Sequence, residues 1–214
     1  MGQPGTTEAT RFLGDLAWIG YTGEMKTRLL LACLLAVACS QPGDTAPAKP
    51  AALVIDRPET HTSATFTVTS RDFQQGGEIP VRFSDYGDSI SPSIAWSGLP
   101  EGTKTLAVVM EDPDASGRIF VHWLAWNLDP AAGKLDRGSV TFGAKLGRNG
   151  RGNPSYFGPR PSGKGAHHYH FQFFALDTQL SLKAAGTREQ LVAAMKGHVL
   201  AKADLVGLFA QPKR

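Results

Sequence analysis

The chain has 214 residues, 42% hydrophobic and 19% charged, enough for one globular domain plus an appendage. A formal net charge of only +3 excludes wholesale nucleic-acid binding, while 24 glycines and 14 prolines favour turns and short strands over long helices. Both cysteines, Cys33 and Cys39, fall near the N-terminus, so the rest of the chain has no disulfide, no cysteine metal site and no cysteine nucleophile.

Met25-Lys26-Thr27-Arg28 precedes the apolar run Leu29 to Ala38, and Cys39-Ser40 follows. A basic start, a short apolar core and small residues before a cut predict a secretory signal over residues 25–38. The run is too short to span a bilayer, which takes about 20 residues. Leu35-Ala36-Val37-Ala38-Cys39 resembles a bacterial lipobox, which makes Cys39 the expected lipidation site, although Ala36 stands where that motif usually has leucine. Cys33 follows the better match Leu30-Leu31-Ala32 but leaves too little apolar core before it. Residues 1–24 would bury the basic region deep in the chain, so Met25 is expected as the start and 1–24 as a non-native extension. Residues 39–52, rich in proline and alanine, are expected to be a tether, and residues 53–214 the domain. The expected location is the bacterial cell envelope, lipid-anchored on the periplasmic side, or secreted.

From Leu53 onward short strands alternate with turns. Ala64 to Ser70 sets Phe66 and Val68 against Thr65, Thr67 and Thr69, as a half-buried strand does. Gln74-Gln75-Gly76-Gly77 predicts a turn, Glu78 to Phe83 a second short strand, and Ile94-Ala95-Trp96 a third. Thr105 to Glu111 is almost continuously apolar, hence a central strand covered on both faces. Ile119 to Leu128 is a second core strand, and simple alternation places His122 with Phe120, Leu124 and Trp126. Pro130 to Pro161 has little periodicity, and a loop that long usually carries function or covers a site. Thr187 and Gln190 form a capping box for a short helix bearing Leu191 and Met195, which Gly197 ends. Val199 to Phe209 alternates again and is expected to return to the sheet.

The stretch from Tyr156 to Asp177 joins a rigid Gly/Pro loop to an aromatic strand, and His167, His168, Tyr169 and His170 sit at the junction. Strand alternation points His167, Tyr169 and Phe171 one way and His168, His170 and Gln172 the other. That split argues against a metal site, since no Asp or Glu follows at ligand spacing. Asp112 and Asp114 flank Pro113 at the exit of the central strand, either as rigid pocket carboxylates or as an ordinary turn bonding its own backbone. His122 is either a satisfied core histidine or a site residue whose pKa a nearby carboxylate would raise. Between Asp136 and Asp177 there is no acidic residue, whereas Arg137, Lys145, Arg148, Arg151, Arg160 and Lys164 all occur there. Such a loop system suits a small anion, or is simply a solvated basic surface. No serine sits in G-x-S-x-G, and Gly147-Arg148-Asn149-Gly150 lacks helical flanks for clamping a nucleic acid.

Several of these stretches occur in a telling order. Ser91-Pro92-Ser93-Ile94-Ala95-Trp96, Pro100-Glu101-Gly102-Thr103-Lys104 and Asp112-Pro113-Asp114-Ala115 come first. Phe120-Val121-His122-Trp123, Trp126-Asn127, Gly158-Pro159-Arg160-Pro161 and His167-His168-Tyr169 follow. The series resembles the phosphatidylethanolamine-binding protein family, and within it the bacterial Raf kinase inhibitor-like branch, over roughly Phe66 to Phe209. The resemblance implies a mainly β fold: a β-sandwich with a large central sheet, a smaller sheet and one or two short helices. It also implies an anion pocket lined by Asp112, His122, His167 and Tyr169, with Asp114 beside it and Gly158 and Pro159 as a wall. Two positions depart from the family pattern: Ser116 replaces the proline of D-P-D-x-P, and His168 replaces the arginine of H-R-Y.

The expected function is therefore binding of a small anion or phospholipid headgroup, with no cofactor and no metal. The expected partners are that ligand and, through the N-terminal lipid, the membrane. Alternatives are a protein-interaction module that inhibits a kinase or protease and, last, a hydrolase using an Asp–His base.

Overall fold

The computed structural model describes residues 52–163 and 165–213; the expected signal segment, Cys39, most of the tether and Lys164 lie outside the described residues. Two sheets carry the fold. The smaller pairs β1 (Thr67–Ser70), β3 (Ile94–Ser97) and β6 (Lys134–Leu135) in the order β1-β3-β6. The larger contains β2 (Gly77–Glu78), β4 (Thr105–Asp112), β5 (Phe120–Leu128), β7 (Lys145–Leu146), β8 (Ala166–Leu176) and β9 (Val199–Ala210). Its order is β2-β9-β8-β4-β5-β7, antiparallel except for the β2–β9 pair.

All eight residues of β4 are buried, as an unbroken apolar run predicts for a strand covered on both sides. Leu106, Val108 and Met110 face the small sheet and join Trp96, Trp123, Phe171 and Phe173 in one apolar cluster. Ala107 and Val109 face the other way, toward Leu124, Trp126, Leu191 and Val54. Helix α1 (Arg188–Met195) lies on this second side, with the Thr187/Gln190 capping box formed and Leu191, Val192 and Met195 buried. The segment around Val54 closes the same side, with Val54 fully buried. The architecture is the mainly β sandwich that the motifs imply.

The expected strand over Glu78 to Phe83 is not formed: β2 stops at Glu78, and Val81–Phe83 is a single 3₁₀ turn. Pro80 has no N–H to offer the sheet, and its carbonyl instead accepts from Phe83 N at 3.0 Å. The Ala64 to Ser70 strand is shorter than expected, with Thr67–Ser70 in the ladder and Thr65 bridged singly to Lys202. The long Pro130 to Pro161 excursion holds only the two-residue strands β6 and β7 and a 3₁₀ turn over Pro130–Ala132.

Candidate functional site

Three strand ends meet at one end of the large sheet. β4 finishes at Asp112, whose ladder partner is Phe120 at the start of β5, and β8 begins beside them with Ala166 and His167. A cavity of about 240 Å³ opens between them, lined by Asp112, Phe120, His122 and His167. The loops over the strand ends add Ser116, Arg151, Phe157, Arg160 and Ser162.

Asp112 is buried, and both of its oxygens are engaged. Oδ1 accepts from Asp114 N at 2.8 Å, the local turn bond of an Asp-Pro-Asp sequence. Oδ2 lies 2.8 Å from His167 Nδ1, so that nitrogen carries the hydrogen and donates. Asp112 thus makes the local turn bond and also lines the cavity.

His122 reaches the cavity because its strand is irregular. Met110 pairs with Trp123 and Glu111 with Val121, which leaves His122 as the extra residue of a β-bulge. Val121 then joins the Leu124 and Trp126 cluster. His122 turns to the opposite face, edge-on to Tyr169 at 5.1 Å and parallel to Phe157 at 5.6 Å. This corrects the simple alternation that grouped His122 with Leu124 and Trp126. Its Nδ1 donates to the Phe157 carbonyl at 2.7 Å, and Phe157 N donates back to the His122 carbonyl at 3.0 Å. Burial pushes the ring's pKa down to about 4, outweighing the Phe157 bond and the charge of Asp112. The expected upward shift is therefore reversed, and His122 is neutral at pH 7. Asp112 orients His167; the Phe157 carbonyl orients His122.

Tyr169 lies beneath this pair, fully buried, and its hydroxyl has no hydrogen-bond partner among the described residues. Burial and the nearby charge of Asp112 raise its pKa, so it stays a proton donor.

The other expected residues take supporting positions. Asp114 accepts from His168 N at 2.7 Å and from His168 Nδ1 at 2.8 Å, on the face away from the cavity. Gly158 and Pro159 do not line the cavity. A Cβ on Gly158 would come within 2.5 Å of the Phe83 carbonyl oxygen, so only glycine lets the loop pack this closely. The Pro159 carbonyl accepts from Asp85 N at 3.1 Å, which docks the same loop from behind. The basic excess of this region is also smaller than the sequence suggests, because Arg137 pairs with Asp72 and Arg160 with Asp85. Arg151 forms no ion pair among the described residues, and its guanidinium sits 4.0 Å from the centre of the Phe157 ring. Phe157 is a site residue that sequence reasoning missed, and Arg151 was expected only as one of six basic residues of the loop system. The signal available was their place in the Gly/Pro loops adjoining His122's aromatic partners. Among the described residues no group of three His, Cys, Asp or Glu side chains could hold a metal ion.

The comparison with protein-family models matches residues 69–210 to the phosphatidylethanolamine-binding protein model. The chain belongs to that family. A "UPF0098 protein" of Methanothermobacter thermautotrophicus is 39% identical over 142 residues, covering 64% of this chain and 93% of the relative. A crystal structure of Escherichia coli YbcL, described as a new member of the mammalian PEBP family, superposes with a TM-score of 0.65. It is 29% identical and covers 70% of this chain and all of YbcL. A Mycobacterium tuberculosis protein named "Putative lipoprotein LppC" is 36% identical over 168 residues, 78% of this chain and 83% of its own length. Family membership places the protein among binding proteins rather than enzymes.

Proposed function

We propose that this member of the family holds a small anion, of the kind a phosphate-bearing headgroup presents, between Asp112, His122, His167 and Tyr169. The observation that carries the reading is the Tyr169 hydroxyl, buried beside the His122 and His167 rings with no hydrogen-bond partner among the described residues. A buried donor left unmet costs about 1–3 kcal/mol, and a ligand oxygen would remove that cost. Arg151 supplies positive charge at the rim, and the Asp112–His167 pair presents an oriented imidazole edge. The walls are the rings of Phe120 and Phe157, which shield these polar groups from water.

Titration of purified protein with inorganic phosphate tests this. His167→Ala is expected to abolish binding, and Tyr169→Phe to weaken it by about tenfold while leaving folding stability unchanged or higher. Wild-type affinity in both variants would overturn the pocket assignment.

We propose further that the domain works in the cell envelope, tethered through a lipid on Cys39. The lipobox-like sequence ahead of Cys39 and the lipoprotein name of the mycobacterial relative support this. Metabolic palmitate labelling should tag the wild type and not Cys39→Ala; label surviving in the variant would sink the proposal.

A further inference from the structure

Resting on the binding reading above, we infer that His122 makes the pocket select anions that still carry an acidic O–H. These are inorganic phosphate or a singly protonated phosphomonoester, in preference to sulfate or a phosphodiester. The geometry at one ring decides this. The Phe157 carbonyl can only accept, so the hydrogen of the neutral imidazole is committed to Nδ1, and Nε2 is left as a lone pair. No described protein group donates to Nε2, and the ring forms part of the cavity wall. A fully deprotonated ligand oxygen set against that nitrogen would oppose lone pair to lone pair, whereas a P–O–H donates to it.

The rest of the site sorts the remaining oxygens. The Tyr169 hydroxyl and the Arg151 guanidinium call for an anionic oxygen. Asp112 already accepts from Asp114 N and His167, and its negative charge beside the cavity disfavours a dianion. Set against the His122 lone pair, those two donors describe a ligand with one protonated and one anionic oxygen.

The selection holds only while His122 stays neutral, and its surroundings keep it so. The charged and titratable groups facing it are Asp112 from β4, His167 and Tyr169 from β8, and Arg151 from the covering loop. Asp112 favours a charged ring, Arg151 opposes one, and burial dominates both. With a pKa of about 4, roughly one ring in a thousand is charged at pH 7. Sulfate therefore cannot recruit a protonated His122 cheaply.

Calorimetric titration of the full chain at pH 7 with four probes tests the inference: inorganic phosphate, glycerol phosphate, dimethyl phosphate and sulfate. Phosphate is expected to bind at least about tenfold more tightly than sulfate or dimethyl phosphate, because a site built to take a hydrogen bond rejects analogues lacking it. Glycerol phosphate should tighten as pH falls from 7 to 5.5, since its second pKa lies near 6. If it then matches inorganic phosphate, the source is a phosphomonoester headgroup; if it stays far weaker, the source is free phosphate. Equal affinity for phosphate and sulfate overturns the selection while leaving the anion-binding reading intact. Failure of every probe overturns both. His122→Gln offers a donor as well as an acceptor and should erase the preference, and a folded variant that keeps it would refute the role of Nε2. If that variant does not fold, the wild-type phosphate-to-sulfate ratio decides alone.

Discussion

Strand β8 carries two rows of polar side chains, one residue out of phase, and the rows meet opposite fates. On one face His168, His170 and Gln172 each find a carboxylate: Asp114 at 2.8 Å, Asp204 at 2.7 Å and Glu111 at 2.8 Å. On the other face His167 finds Asp112 at the cavity wall, but the Tyr169 hydroxyl finds no partner among the described residues. The closed row runs deep. Glu111, fully buried, also accepts from Val54 N at 2.9 Å and from the Arg188 guanidinium. Gln172 Oε1 takes Ile55 N at 2.6 Å, and Arg188 reaches the Ala52 carbonyl at 2.6 Å. These bonds clamp the first described residues against the sheet, with Val54 seated in the second apolar cluster. Among the described residues Asp204 Oδ1 is the one buried unpartnered atom on that side. The difference teaches what each network is for. A polar cluster whose valences are mostly met inside the protein fixes structure, and one that leaves a buried donor open carries a cost that a bound acceptor would remove.

The largest effect should come from opening the closed face. Glu111→Ala would strand the Arg188 guanidinium, the Gln172 amide and Val54 N–H together. Removing one partner of a buried charged pair costs about 3–5 kcal/mol, and that is the loss expected in urea unfolding. Tyr169→Phe on the open face should cost nothing by the same assay, because its hydroxyl makes no bond to lose. If Glu111→Ala loses less than about 1 kcal/mol, or Tyr169→Phe loses as much as Glu111→Ala, the contrast between the faces fails.

Much of this contrast was legible in the sequence. The period of two along His167 to Gln172 separates the rows correctly, because β8 is regular where it pairs with β4 and with β9 up to Ala175. Alternation fails at His122, since a bulge inserts one residue and nothing in Phe-Val-His-Trp announces it. Partners distant in sequence were equally hidden. Asp72 and Asp85 lie outside the acid-free stretch, yet they neutralise Arg137 and Arg160 inside it. Glu111 looked like the polar end of a strand, and only the packing of α1 and residues 52–55 turns it into a buried hub. The family motifs carried the sandwich and the residues around the cavity, but not which histidine the carboxylate would hold.

The two faces should also answer pH with opposite signs, through His122 and His170. His122 has a folded pKa of about 4, below the unfolded value near 6.5, so in that interval the unfolded chain binds the extra proton. Stability from this face is therefore lost as pH falls from 6.5 towards 4, by up to about 3 kcal/mol. For His170, the bond to Asp204 outweighs partial burial and raises the folded pKa. Its contribution is fully present below the unfolded value and fades as pH rises through the folded one, and solvent screening keeps it small. Unfolding free energies of the wild type, His122→Asn and His170→Asn across pH 4 to 8 separate the two. The wild-type-minus-variant difference should rise with pH for His122 and fall with pH for His170. Parallel profiles would mean that the two rings sit in equivalent environments, and the division of β8 into an open and a closed face would have no energetic basis.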